Sequence, residues 1–309
     1  MALTQYLTDT ALILNDPNNL FFSTTALTNW INKARNRIAE VSQCLPLLIP
    51  GAGSILTIGV ANGGSGYGSA PTVTISAPDA SGPVTQATAT ATVVGGQVTA
   101  ITVNVSGSGY VAMPTVTLSG GGYSVAATVG TITLTPYVAT VAGQETYALN
   151  APPISTTVLN QPGYQRAVGI QSISVSWGSM KPTLDFKPFT TFQAQYRAYN
   201  IGYQNYPSLW SRLGRGASQI IYLWPIPGQA SQMEIAVYCQ PIPLVTDLTY
   251  EAIPEPFTDG VKYYAAYLAY MNAQRKDDAM WMASLYKEHM IENGVTDTPS
   301  YSPSAYDGD

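Results

Sequence analysis

The sequence predicts an α+β fold: a helical bundle formed by N- and C-terminal helices, a β-rich middle, and an inserted all-β repeat domain. Three observations lead there. Both ends of the 309-residue chain carry apolar residues at the 3–4 spacing of an amphipathic helix. The middle alternates apolar and polar residues with the period of a strand. Third, one Gly-rich pattern occurs twice, 43 residues apart: TIGVANGGSGYGSAPTVTIS at Thr57–Ser76 and AITVNVSGSGYVAMPTVTLS at Ala100–Ser119. A repeated β pattern without acid, base or metal ligand builds surface rather than chemistry.

At the N-terminus, Leu3, Tyr6, Leu7, Ala11 and Leu14 mark a first helix that stops at Asn15-Asp16-Pro17. A second helix starts at Ser23-Thr24-Thr25, whose side-chain oxygens cap free N–H groups. Leu27, Trp30, Ile31, Ala34, Ile38 and Val41 form its apolar stripe, with Lys33, Arg35 and Arg37 assigned to the other side and Pro46 as its end.

Between Arg37 and Arg166 there is no Lys or Arg, and the only acids are Glu40, Asp79 and Glu145. The change of composition places an insertion boundary near Gly51-Ala52-Gly53. Within the insertion, ATATATV at 87–93 alternates strictly and Gly95-Gly96 makes a tight hairpin turn. Each repeat reads as a few short antiparallel strands closing a small Ig-like sandwich or roll, with Tyr67 and Tyr110 as lids over adjacent strand pairs.

Strands continue from Thr131 to Val158 and again over 166–178. A short helix opened by Pro188 follows, with Phe189, Phe192, Tyr196 and Tyr199 on one side and an end near Asn200-Ile201-Gly202. Residues 219–244 read as a hairpin around Pro225-Ile226-Pro227-Gly228. After Pro254-Glu255-Pro256 one long helix runs to Asn293-Gly294. The domain expectation is therefore an adaptor-like core of 1–53 and 131–309, an inserted β-repeat domain of 54–130, and a flexible tail of 295–309.

Charge narrows the function. Charged residues make up 10% of the chain and hydrophobic ones 46%, against about 25% charged in an average soluble domain. Such a surface fits a subunit covered by neighbours. Residues 166–215 carry six bases and one acid, whereas 234–309 carry twelve acids and four bases. Opposite-sign segments suit head-to-tail packing of identical subunits, and equally well pairing within one chain. A net charge of −5 argues against gripping nucleic acid through its phosphates. Cys44 and Cys239 form no metal or disulfide pattern, so a reducing compartment is the default. The N-terminal residues lack a secretory signal, and no stretch reaches 18 apolar residues.

No catalytic, cofactor-binding or metal-ligating set is predicted. His289 is the single histidine, with Glu288 and Glu292 as helix-surface neighbours. Asp277 and Asp278 point about 100° apart on a helix, and Asp79 and Glu145 are too isolated to work as a hydrolytic pair. GGSGYG at 63–68 and SGGGY at 119–123 open no helix and lack the lysine of a phosphate loop. Aromatic residues interleaved with bases, from Trp177 to Trp210, are types enriched at protein interfaces; stacking on single-stranded nucleic acid is the weaker alternative.

Outside the insertion the layout resembles the head-to-tail adaptor (connector) proteins of short-tailed bacteriophages. The residues that carry the resemblance are Trp30-Ile31-Asn32-Lys33-Ala34 in the N-terminal helix and Tyr206-Pro207 with Trp210 in the β-rich middle. To these are added IIYLWPIP at 220–227, MEIAVYCQPIPL at 233–244 and Tyr263-Tyr264-Ala265-Ala266-Tyr267 in the last helix. The repeats look like SGY/PTVTIS modules found in many phage virion proteins, and they depart from the minimal adaptor pattern. The resemblance implies a structural virion protein at the neck, assembled in the bacterial host cytoplasm. It implies a homo-dodecameric ring bound to the portal protein and to a tail nozzle or tube protein, with tail fibres as possible neighbours. DNA would pass through the channel without specific binding, and no enzyme activity, cofactor or membrane is implied. Candidate interaction residues are Tyr301 and Tyr306 in the tail and Arg197, Trp210, Arg212 and Arg215 in the basic segment. The alternative function is a tail fibre or decoration protein whose repeats touch host glycans through exposed tyrosines.

Overall fold

The computed structural model describes residues 2–80, 84–177, 180–198 and 202–295. The predicted tail, with Tyr301 and Tyr306, lies outside them apart from Val295. So do Tyr199 and the Asn200-Ile201 end assigned to the short helix. The chain divides into two compact units, one of Met1–Leu47, Val158–Gly169 and Tyr238–Asp309, the other of Leu48–Thr157 and Ile170–Val237.

Helix α1 (Leu3–Ile13) and helix α2 (Thr24–Ser42) open the first unit. The first turn of α1 has free N–H groups; the Asp247 carboxylate accepts from Thr4 N–H at 2.7 Å and from its hydroxyl at 2.6 Å. Ser23 caps α2, accepting from Ala26 N–H at 3.3 Å, and Gln43 ends it in the left-handed region at φ 53°. The chain continues through β1 (Pro46–Ile49), β2 (Ile55–Asn62), β3 (Thr72–Ile75), β4 (Thr88–Val94), β5 (Gln97–Val105), β6 (Val116–Ser119), β7 (Thr128–Leu134) and β8 (Thr146–Ala148). Next come helix α3 (Ile154–Leu159), β9 (Tyr164–Val175), β10 (Asp185–Phe186) and α4 (Phe189–Phe192), which runs into a π-helical turn at Gln193–Arg197. Then follow β11 (Gln204–Asn205), β12 (Leu209–Leu213), β13 (Ile220–Trp224), β14 (Ile226–Pro227), β15 (Met233–Pro241), α5 (Glu255–Asn272) and α6 (Lys276–Glu292).

In the first unit α1, α2, α5 and α6 bury their apolar faces in two clusters. Leu3, Tyr6, Ile31, Ala34, Ile38, Val261, Ala265 and Met290 meet in one. Ala11, Leu14, Leu27, Ala266, Ala269, Tyr270 and Met282 meet in the other. Ala34 on α2 and Ala265 on α5 are fully buried in the first of these clusters.

Four expectations are corrected. Residues 154–159 are helical, not strand: Pro153 cannot donate to a sheet ladder, and its carbonyl accepts from the Thr156 and Thr157 hydroxyls at 2.8 and 2.9 Å. The supposed hairpin of 219–244 is two strands in different sheets, β13 in β10–β12–β13–β8 and β15 in β1–β15–β9. Pro225 and Pro227 remove the donors a continuing ladder needs, and Ile226–Pro227 pair instead with Gln204–Asn205 as a short parallel bridge. Arg35 does not face solvent; it is among the largest fully buried side chains. Finally, the long C-terminal helix is two. Gln274 at φ 59° turns the chain between α5 and α6, a conformation that costs an L-residue about 1–2 kcal/mol. Gln274→Gly should therefore stabilise the chain by about 0.5–1 kcal/mol, read as a raised urea midpoint at unchanged slope.

In the second unit neither repeat closes a sandwich or roll of its own, a further correction: each copy's strands find their ladder partners in the other copy, and together they form a four-stranded sheet in the order β4–β5–β2–β7 and a two-stranded sheet β3–β6. Ile55, Ile58, Ile75, Val98, Ile101, Tyr67 and Tyr110 fill the space they enclose. Gly95 and Gly96, at φ 60° and 76°, join β4 to β5, the geometry of the turn that matches strand twist.

Candidate interaction surface

The predicted basic–aromatic residues are carried by β12, β13 and the π-helical turn. Trp210 pairs with Leu223 and Arg212 with Ile221, whereas Ser211 pairs with Tyr222 and Leu209 with Trp224. Because paired residues share a sheet face and neighbours alternate, Trp210 and Arg212 lie on one face and Tyr222 and Trp224 on the other. On the first face Phe186 packs against Trp210 at 4.8 Å, and the Arg212 guanidinium sits 5.6 Å from the Phe186 ring centre. Trp210 is buried there.

The second face holds Arg197. Its Nε lies 2.9 Å from Glu145 Oε1, and its guanidinium stands 5.3 Å from the Tyr222 ring. Tyr196 packs on Trp224 at 5.0 Å, and Phe189 on Tyr222 at the same distance. Beside these rings is a cavity of about 370 Å³ lined by Glu145, Gln193, Arg197, Ala198, Gly202, Trp224 and Ile226. Arg197 and Arg212 thus belong to opposite faces and do not form one patch. Arg215 is exposed and, among the described residues, has no ion-pair partner. The sequence reading missed Tyr222, Trp224 and Glu145 as members of the Arg197 group. The i, i+2 spacing of Tyr222 and Trp224 on a strand was the available signal.

A second exposed feature lies in the first unit. Leu20 and Phe21 are 79% and 85% exposed between α1 and α2. Their presentation is fixed from beneath: the buried Asp16 carboxylate accepts N–H bonds from Leu20, Phe21 and Phe22 at 2.8, 2.9 and 2.9 Å. Burial raises that carboxyl's proton affinity, but the three N–H donors outweigh it and hold the group below the usual carboxylate range. A depressed folded value means the stabilisation is full above the unfolded pKa and is lost as pH falls through the folded one. Asp16→Asn should remove this share of acid sensitivity, flattening the stability profile below about pH 4 while the parent chain still declines.

Groups capable of chemistry are tied down. His289 Nε2 lies 3.0 Å from the Pro256 carbonyl, with Asn293 as its other neighbour. Asp79 accepts from Val111 and Ala112 N–H groups. Cys239 is buried and its thiol is pushed up to about 12, and burial raises that of Cys44 as well. Among the described residues no group of three His, Cys, Asp or Glu side chains could hold a metal ion, and no helix is long and apolar enough to cross a membrane. Tyr67 and Tyr110, expected as lids over adjacent strand pairs, are 6% and 1% exposed, and their hydroxyls accept from Ala127 and Ala87 N–H groups at 2.8 and 3.0 Å; the exposed tyrosine of the repeat region is Tyr123.

A family model described as SU10 adaptor protein matches residues 125–302, more than half of the chain. The chain belongs to the SU10 adaptor protein family. It is thus a phage structural adaptor, as the resemblance implied. The matched span holds β7 onward, including both faces of the β12–β13 sheet, α5 and α6. A search of the curated proteins finds no match.

Proposed function

We propose that this chain is the subunit of a ring that joins the portal to the tail of a phage particle and continues the DNA channel. What carries the reading is the family match over 125–302, within which the basic segment 166–215 and most of the acidic segment 234–309 both fall. Lys181 pairs with Glu234 and Arg197 with Glu145 inside one chain, which leaves Arg212 and Arg215, without an ion-pair partner among the described residues, to meet acids of a neighbouring copy head to tail. The adaptor reading also supplies partners of stated kind: a portal protein above, a tail nozzle or tube protein below, and eleven further copies of the chain beside it. In this reading 54–130 is an inserted domain carried on the adaptor core, and the protein works by assembly, without catalysis. The neck of the virion is its place.

The test is assembly. Purified chain mixed with purified portal should give a twelve-fold ring in negative stain and sediment as a monomer when alone. Failure to bind the portal would end the reading. Reversing Arg212 and Arg215 to Glu should weaken each subunit–subunit contact about tenfold, or about 1.4 kcal/mol, with the loss shrinking as salt is raised. Removing 295–309 should abolish portal binding if the tail docks there; unchanged binding would dispose of that docking.

A further inference from the structure

The two copies of the repeat have no ladder of their own. With copy one as Gly53–Val94 and copy two as Gly96–Leu134, the four-stranded order β4–β5–β2–β7 alternates between copies, and β3–β6 joins one strand of each. Every ladder among the described residues of this module is therefore formed between copies.

The pairing is two-fold. Ile58 pairs with Ile101 and Thr74 with Thr117, so the 43-residue equivalents meet each other. Around them the hydrogen bonds come in reciprocal pairs. Tyr67 N–H donates to the Gly96 carbonyl at 3.0 Å, and Tyr110 N–H to that of Gly53 at 3.1 Å. Val98 N–H donates to the Gly63 carbonyl at 2.8 Å, and Ile55 N–H to that of Ser106 at 2.9 Å. Ser65 exchanges bonds with Val125, and Ser108 with Thr85. The tyrosine hydroxyls repeat the rule, Tyr67 reaching copy two at Ala127 and Tyr110 reaching copy one at Ala87. The third strands keep it with a 40-residue offset, Thr88–Val94 matching Thr128–Leu134.

We propose that this module is a self-association device: copy one of one chain can take copy two of a second chain, giving a two-fold dimer with every ladder preserved. The partner is a second copy of this chain, because each half lacks only what the other half supplies. The closing element is the Gly95-Gly96 turn. Where that turn holds, the partner half is tethered at an effective concentration of at least the millimolar order, so the closed form dominates in dilute solution. Where the turn cannot form, no closed pairing competes with the exchanged one. The device is independent of the ring reading, since a ring built through other surfaces leaves each module closed within its own chain.

The experiment uses the full chain with Thr74→Cys and Thr117→Cys, positions that face each other across the two-fold. In one version the turn is native; in the other, Gly95→Pro and Gly96→Pro forbid its positive φ values. Light scattering on the size-exclusion peak reads the mass, and peptide mapping locates the disulfide. The native turn should give a single chain of 32.9 kDa with positions 74 and 117 linked internally. The proline version should give twice that mass, with the link between chains. A proline version that stays monomeric, whether linked or not, overturns the proposal. So does a dimer whose 74–117 link remains within each chain.

Discussion

Glu251→Gln lowers the stability of the helical unit by about 3 kcal/mol, the largest loss expected from any single polar substitution in this chain. The pair it breaks is Arg35 and Glu251, with Nη2 to Oε1 at 2.7 Å and side chains 1% and 6% exposed. Arg35 also donates to the Ile242 carbonyl at 2.7 Å and to Asn32 Oδ1 at 3.2 Å. Asn32 in turn brackets Leu244 through both its backbone N–H and its carbonyl. This network pins the segment after β15 to α2, so losing the carboxylate leaves a buried guanidinium with only neutral acceptors. Nearby, burial and then the Glu251 charge push the Tyr6 hydroxyl well above its usual range, which keeps that phenol neutral. The double change Arg35→Met with Glu251→Leu should recover most of the loss, because a well-packed apolar pair removes both desolvation costs. Urea unfolding of the two variants checks this; equal losses from single and double changes would show that packing, not the unpaired charge, sets the cost.

Much of the helical unit was legible because its elements obey local rules. The stripe Leu27, Ile31, Ala34, Ile38 and the cap Ser23 are set by residues a few positions apart, and they fall where the 3.6-residue period puts them. Arg35 was misassigned although it stands four residues after Ile31 and three before Ile38, on the buried side by the same period. A charge at such a position is buried only if a distant partner meets it, and Glu251 lies 216 residues away. Distance hid the strand partners too. β13 and β15 each carry a good strand pattern, but period alone does not say which strand a strand will pair with. The same limit split the predicted interaction residues: Arg197, Trp210 and Arg212 belong to one basic segment, and only the β12–β13 register puts them on opposite faces. The Tyr67 and Tyr110 side chains are each held by an N–H of the other copy, Ala127 and Ala87, a partner that a single copy's sequence does not contain.

Ile58→Ala and Ile101→Ala should each destabilise the β module by about 2–4 kcal/mol, and by the same amount within about 0.5. Both side chains are buried in one cluster, and their Cα atoms are ladder partners at the module's two-fold. Equivalence of environment, not of local sequence, sets the expected equality, since Ile58 precedes Gly59 and Ile101 precedes Thr102. The double variant should cost less than the sum, because the second truncation enlarges a cavity already opened instead of creating a new one. Leu56, exposed on the same strand, gives the control: Leu56→Ala should stay within about 0.5 kcal/mol. The module has no Lys or Arg, so no ion pair inside it can contribute, and these differences should persist unchanged at high salt. Denaturant unfolding of the full chain, with limited proteolysis to follow the module separately, reads all four. A cost at Ile101 less than half that at Ile58 would mean that the copies, though paired reciprocally, do not carry equal shares of the core.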